Sequence, residues 1–296
     1  KEPVKENVKI TLYTSESQDL VNDMINDFKS KNPGIEVDIF RSGTGEVISK
    51  MDAEMTVGDT VADVIWFADI DYFRSLASKN LLEEHKSPEA DNINERFIYE
   101  GGKYYEVRQI FNILAYNTSK VKDAPKTWTD ITKSEYKGKA AIANPNYSGA
   151  AFITLATLVQ NDNVGWKFYE DLKANDVKFE QSNGKLITKL ASGEYEAVSV
   201  VDFMVRNSKN SGSPVESVWP SDGAVLIPTP VGIMSTSKEK AAAQKLVDYL
   251  LSMDGQKFFI SQGYIPVNAS AGAPEGAPNL DSIKTFPLDM EFISAN

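Results

Sequence analysis

The chain has no cysteine and only one histidine, His85, among its 296 residues. Without cysteine it has no disulfides, thiol nucleophiles or cysteine-based metal sites. The compartment stays open, because exported bacterial proteins need not carry cysteine. A Ser-His-Asp triad could use only His85, and no nucleophile elbow stands beside it. The charged residues around His85, 82–88, predict an exposed surface loop.

Long apolar runs and excess positive charge are also missing. No run approaches the roughly 20 apolar residues that cross a bilayer. The formal net charge of −11 makes nucleic acid and anionic membranes poor partners. A local site built from helix ends can still bind an anion, because salt screens long-range fields over about 10 Å. The 42% hydrophobic and 25% charged residues are typical of a globular protein.

Apolar periodicity predicts an α/β fold with mostly parallel strands. Up to residue 82 the pattern predicts strands at 8–14, 35–41 and 61–68 and helices at 18–31, 45–56 and 70–78. Further on it predicts strands at 139–144, 177–181 and 195–201 and helices at 149–161, 164–173, 185–191, 237–252 and 254–262. Alternation of this kind is typical of right-handed βαβ units.

Two extended segments, near 110–117 and 225–235, divide the chain into two predicted lobes. The first lobe is 1–112 plus 228–296, and the second is 113–227. Two crossover strands would form a hinge, with a ligand cleft between the lobes. The polar residues 1–7 predict a tether ahead of the first strand.

Four loops that follow strands and precede helices carry hydroxyl groups; they are residues 13–17, 41–45, 144–151 and 181–184. The first N–H groups of a helix lack internal partners and lie at the positive end of its dipole. Such loops converge at the carboxyl ends of parallel strands, so four of them predict an oxyanion site. For each loop alone, an ordinary capping serine is the alternative. None has the Gly-Lys-Ser/Thr ending of a P-loop.

Several segments match one protein family in order along nearly the whole chain. They are ITLYT (10–14), ADVIWF (62–67), LAYN (114–117), GEYEAV (193–198), DGQ (254–256) and GYIPVN (263–268). The chain resembles the extracytoplasmic solute-binding proteins of bacterial ABC importers, in the ferric-iron, phosphonate and sugar-phosphate branch. The resemblance implies a two-lobed type II periplasmic-binding-protein fold, with two mixed sheets flanked by helices.

The chain departs from the ferric-iron members at three places. Residues 14–17 replace the histidine of their first loop, Ala68 and Asp69 replace a glutamate, and Asp202-Phe203 replaces two adjacent tyrosines. The standard iron site is therefore absent, although Glu16, Asp69 and Asp202 could form an unusual one. The predicted ligand-binding residues are Thr14, Ser15, Ser42, Gly43, Thr44, Asp69, Arg108, Ser148, Gly149, Ala150, Ser182 and Asp202.

Within that set, Asp69 and Asp202 would receive a cationic or hydroxylated part of the ligand, since a carboxylate accepts from an ammonium or hydroxyl. Helix capping or surface exposure is the alternative for both carboxylates. Arg108 could reach the anion, and an outward-facing arginine is its alternative.

The resemblance and the loops together predict a non-catalytic, monomeric receptor without cofactor or resident metal. It would capture a small anionic solute, a phosphonate or phosphorylated organic molecule, and deliver it to a membrane permease. Its location would be extracytoplasmic, in a periplasm or lipid-anchored at the outer face of the cell membrane. The alternatives are ferric iron or an iron complex, a polyamine or thiamine, and an enzyme that processes phosphate esters.

Overall fold

The structure is a computed structural model that describes residues 8–279, 282–289 and 292. The predicted tether, residues 1–7, lies outside these residues. Among the described residues, no helix combines the length and apolar character that a bilayer crossing requires.

The described residues form strands and α-helices that alternate over most of the chain. The strands are β1 (Val8–Thr14), β2 (Ile35–Arg41), β3 (Val64–Trp66), β4 (Ile98–Tyr99), β5 (Tyr104–Glu106), β6 (Arg108–Gln109), β7 (Phe111–Asn117), β8 (Ala140–Ala143), β9 (Lys178–Glu180), β10 (Ala197–Val201), β11 (Val215–Val218), β12 (Val225–Leu226), β13 (Pro230–Ile233) and β14 (Ile265–Pro266). The helices are α1 (Gln18–Lys31), α2 (Thr44–Val57), α3 (Ile70–Ser78), α4 (Gly149–Val159), α5 (Gly165–Ala174), α6 (Asn183–Ser192), α7 (Asp202–Asn210), α8 (Lys240–Leu251) and α9 (Met253–Ser261).

The first large sheet has the strand order β2-β1-β3-β13-β5-β4. β1 pairs in parallel with both β2 and β3, so these three strands end at one edge of the sheet. β13 runs antiparallel to β3 and β5. α1 buries the apolar stripe of Leu20, Met24 and Phe28, whose spacing of four places them on one helix face.

The second large sheet has the order β11-β7-β10-β8-β9, and β12 also pairs with β7. β10, β8 and β9 are parallel, whereas β7 is antiparallel to β10 and β11. Buried side chains such as Ile113, Val198, Val200 and Leu186 form the apolar core around this sheet. The α/β class with two mixed sheets flanked by helices is therefore confirmed.

The chain divides into two compact units. Unit 1 is drawn from Lys1–Gln109, Pro228–Gln262 and Pro266–Ala273, and unit 2 from Ile110–Ile227, Gly263–Ile265 and Pro274–Asn296. The predicted lobes, by contrast, put everything after 228 in the first lobe. The late segment joins unit 2 because Ala224 accepts the Phe286 N–H (3.0 Å) and donates to the Lys284 carbonyl (2.8 Å). The chain thus passes between the units more than the two predicted times.

Two local predictions differ from the structure. The pattern predicts no helix after the strand 195–201, but α7 begins at Asp202. Its inward face carries the charged Asp202 and Arg206 beside Val205, so its periodicity is not apolar. His85 is not exposed: its side chain keeps only 14% of its surface, and Nε2 lies 2.7 Å from Oδ1 of Asp248, far away in sequence.

Candidate functional site

In unit 1, the predicted loops after β1, β2 and β3 meet at the carboxyl edge of the sheet. The Ser15 N–H donates to the Trp66 carbonyl (3.4 Å), and the Ser42 N–H donates to the Thr14 carbonyl (3.1 Å). Thr14 is fully buried, and its Oγ1 accepts the Glu16 N–H (3.1 Å). These hydrogen bonds tie the ends of the three strands together, as the parallel pairing predicts.

Gly43 and Thr44 lie at the start of α2. Gly43 is the N-cap residue and contributes no capping side chain. The Ser42 hydroxyl donates instead to the carboxylate of Glu46, one turn into the helix. A carboxylate there interacts favourably with the positive end of the helix dipole, so the chain's own Glu46 already uses part of this predicted anion site.

Asp69 caps α3, the alternative that the sequence left open for it. Its Oδ1 accepts the Tyr72 N–H at 3.0 Å. Burial raises the pKa of this carboxyl, and the neighbouring Asp71 adds to the rise while N–H donors oppose it. Contact between Asp69 and a ligand stays a prediction.

Arg108 does not face outward. Its side chain has no exposed surface, and its guanidinium carbon lies 4.8 Å from the Trp66 ring centroid and 5.5 Å from that of Phe259. One guanidinium nitrogen lies 2.5 Å from Oε2 of Glu16, whose side chain is 10% exposed. Sequence reasoning missed this pairing because 92 positions separate the two residues, and only the packing of Arg108 against Trp66 at the end of β3 brings them together.

Glu106, at the end of β5, is a second buried carboxyl in unit 1. Its Oε2 accepts the Thr229 N–H at 2.8 Å, while Oε1 is buried without a hydrogen bond to any described residue. Burial raises its pKa to about 8; the charge of Arg108 opposes the rise, and Glu16 adds to it. At neutral pH this carboxyl is therefore mostly protonated.

In unit 2, two of the predicted loops adjoin at the carboxyl edge of the sheet. Ser148 caps α4 by accepting the Ala151 N–H (3.3 Å), and Ser182 caps α6 by accepting the Lys185 N–H (3.3 Å). The Asn183 side-chain amide donates to Ser148 Oγ at 3.4 Å, which brings the two helix starts together. The alternative of capping serines thus holds for both residues, and a cap uses only part of a helix start.

The first N–H groups of these two helices are open. For Gly149 and Ala150 of α4, and for Asn183 and Gly184 of α6, the N–H groups have no acceptor within the described residues. Ser148, Gly149 and Ala150 are themselves partly exposed, so a solute can approach the start of α4. The edge therefore offers several N–H donors at the positive ends of two helix dipoles.

Asp202 is fully buried at the start of α7. One carboxylate oxygen accepts the Phe111 N–H (2.9 Å), and the other pairs with the Arg206 guanidinium at 2.5 and 3.0 Å. Burial raises the pKa of this carboxyl, and Arg206 and the N–H donors oppose that rise. The prediction that Asp202 contacts a ligand thus requires this buried pair to open.

The described residues include no group of three or more His, Cys, Asp or Glu side chains that could hold a metal ion. The alternative iron site of Glu16, Asp69 and Asp202 has no such group to support it. Glu16 and Asp202 are each engaged by a buried arginine instead.

Comparison with known proteins gives the geometry its context. The profile of the family described as bacterial extracellular solute-binding protein matches residues 59–296. A putative 2-aminoethylphosphonate-binding periplasmic protein of Salmonella typhimurium is 25% identical over 77% of this chain and 68% of its own length. The spermidine/putrescine-binding periplasmic protein 1 of Haemophilus influenzae is 26% identical over 88% of this chain and 76% of its own.

Among solved structures, the periplasmic binding protein AfuA of Actinobacillus pleuropneumoniae, with fructose-6-phosphate bound, has a TM-score of 0.84. It is 24% identical and covers 97% of this chain and 94% of its own. This likeness confirms the two-lobed type II periplasmic-binding-protein fold. The relatives' names agree with the predicted extracytoplasmic location. The chain belongs to the family of bacterial extracellular solute-binding proteins, the ligand-capturing components of ABC importers.

Proposed function

We propose that this solute-binding protein captures a small phosphonate or phosphorylated organic molecule and delivers it unchanged to a membrane permease. The observation that carries the proposal is the pair of adjoining helix starts in unit 2. There, Ser148 and Ser182 cap α4 and α6, and the next N–H groups of both helices remain open. A tetrahedral oxyanion needs several convergent donors, and this edge supplies them.

The donors are sufficient in energy. Each hydrogen bond to a charged group contributes roughly 1.5–3 kcal/mol net, so four of them contribute roughly 6–12 kcal/mol. Association costs at least about 4 kcal/mol, so the oxyanion alone is left with roughly 2–8 kcal/mol, and most of that range falls short of the about 8 kcal/mol that micromolar affinity needs. Contacts to the organic part of the ligand must supply the remainder. We therefore expect a phosphorylated organic molecule to bind more tightly than inorganic phosphate.

The relatives support the same ligand class. One is named for 2-aminoethylphosphonate, and the AfuA structure holds fructose-6-phosphate. A polyamine is the second candidate, because Glu16 and Asp69 place carboxylates at the edge of unit 1 and one relative is named for spermidine and putrescine.

Calorimetry on Ser148→Asp tests the proposal, with 2-aminoethylphosphonate and fructose-6-phosphate as probes. The new carboxylate would lie where we place the oxyanion, and repulsion should abolish binding of both probes. Ser252→Asp is the matched control, because Ser252 caps α9 by accepting the Gly255 N–H. It makes the same change at a helix start in unit 1 and should leave binding unchanged. Equal binding by Ser148→Asp and the parent would place the anion elsewhere.

A further inference from the structure

We propose that Glu16 is a ligand-contacting acceptor that selects solutes bearing an ammonium or hydroxyl group, and that the buried Arg108 is the residue that positions it. This inference rests on the proposed function and deepens it, because it concerns the end of the solute that bears an ammonium or hydroxyl group. It also changes the role predicted for Arg108, from anion ligand to support of a carboxylate.

The side chains of Arg108 and Glu16 differ in how much of their surface is exposed. Arg108 has no exposed side-chain surface, and its guanidinium lies against the rings of Trp66 and Phe259. Glu16 covers it and keeps a tenth of its own side chain accessible. A solute that arrives at this edge can therefore touch Glu16 and cannot touch Arg108 while the pair is closed.

A ligand oxyanion would compete poorly with Glu16 for Arg108. A ligand oxyanion would have to replace a carboxylate that is part of the same chain and loses no translational freedom when it pairs. It would also have to separate a buried ion pair, which strands a desolvated charge during the exchange. The closed pair is therefore the state that a solute meets, and the group it presents is an acceptor.

Hydrogen bonds hold the backbone of Glu16 in the loop after β1, at the carboxyl edge of the sheet. Its N–H is held by Thr14 Oγ1 (3.1 Å), and its carbonyl accepts from Nε of Arg41 (2.8 Å). Asp69 ends the neighbouring loop with a second carboxylate. The other acid near Arg108, Glu106, has a raised pKa, and the ion pair of Arg108 is with Glu16. The edge thus favours hydrogen-bond donors over anions.

Three probes separate the two ends of a solute. 2-Aminoethylphosphonate carries both groups, propylphosphonate replaces the ammonium with a methyl group, and putrescine has amines without an oxyanion. We expect Glu16→Gln to weaken 2-aminoethylphosphonate binding by about tenfold to a hundredfold, the range of a lost hydrogen bond between charged groups. Propylphosphonate binding should change by less than about twofold, since its alkyl end makes no such bond.

Glu36→Gln is the matched control, because Glu36 is an exposed carboxylate near the start of β2, where it pairs with Lys29 away from the carboxyl edge of the sheet. It should affect none of the probes. The double variant Glu16→Gln/Arg108→Met removes the ion pair without stranding a buried cation, so it gives the test if Glu16→Gln alone does not fold. It should show the same selective loss, which a merely structural role of the pair would not produce.

The outcomes separate this proposal from the proposed function. Stronger propylphosphonate binding by Glu16→Gln would mean that Arg108 binds the anion, and it would overturn the role of Glu16. Unchanged binding of 2-aminoethylphosphonate and putrescine by Glu16→Gln would overturn it too. So would a parent protein that binds neither of these two probes. If the parent binds putrescine but neither phosphonate, the proposed function fails, while a loss of putrescine binding in Glu16→Gln would still support Glu16.

Discussion

Glu106 should tie the stability of the protein to pH. It is buried, it accepts one N–H from Thr229, and its other oxygen has no hydrogen bond to a described residue. Its pKa rises from 4.5 to about 8, chiefly through burial. The fold therefore holds this proton more tightly than the unfolded chain does.

The sign of the effect follows from the raised pKa. The stabilisation is fully present below about pH 4.5 and is lost as the pH rises through about 8. One pKa unit corresponds to about 1.36 kcal/mol, so the whole shift corresponds to roughly 5 kcal/mol in the free energy of unfolding. Roughly 2–3 kcal/mol of this should be lost between pH 5 and pH 7.

Urea denaturation at pH 5, 6, 7 and 8 measures the effect on the parent protein and on Glu106→Gln. The amide oxygen of Gln can still accept the Thr229 N–H, but it does not titrate. The difference in unfolding free energy between the two proteins should therefore fall by roughly 2–3 kcal/mol from pH 5 to pH 7. A difference that stays constant over this range would refute the reasoning, and the exposed Glu216 offers a control in Glu216→Gln that should show no such trend.

Asp202→Ala strands the buried Arg206 guanidinium and the Phe111 N–H, and should lower the unfolding free energy by roughly 3–5 kcal/mol. Glu216→Ala breaks the pair between β11 and Lys209 of α7 and should cost at most about 1 kcal/mol; equal losses for Asp202→Ala and Glu216→Ala in urea titrations would contradict this. Ferric salts should produce no phenolate charge-transfer colour, because the paired tyrosines are missing after β10; a visible band lost on mutating a tyrosine would overturn this. Incubation with a chromogenic phosphate ester should release no product, and steady turnover would favour the enzyme alternative.

Local pattern was enough to predict the elements whose burial is simple. β1, β2, α1 and α3 have the predicted bounds, because their apolar residues follow one period and their ends carry turn or capping residues. The region 103–117 contains three separate strands, β5, β6 and β7, where the sequence shows one extended segment near 110–117. Hydrophobic pattern cannot locate such breaks, because all three strands are buried.

The site was predictable only as far as each loop could be read alone. The caps at Ser148 and Ser182 follow from residue type and spacing, and the structure places them together. The partners of Arg108 and Asp202 did not follow, because a buried charge is paired by whichever element the topology brings beside it. A charged residue in an extended segment rich in apolar residues, such as Arg108 between Val107 and Ile110, was the available signal that a distant carboxylate would be needed.

Three of the α-helices in unit 2 begin directly after a parallel strand, and their starts bear on where we propose that an oxyanion binds. α4, α6 and α7 begin where the parallel strands β8, β9 and β10 end, so all three direct the positive ends of their dipoles to one edge of the sheet. At α7 the chain supplies its own anion, the Asp202 carboxylate, which is held by the Phe111 N–H and by Arg206. At α4 and α6 it supplies only the neutral hydroxyl caps Ser148 and Ser182. The starts of α4 and α6 therefore carry no acidic cap of their own, and we propose that a ligand's negative charge binds where they adjoin, at Ser148 and Asn183.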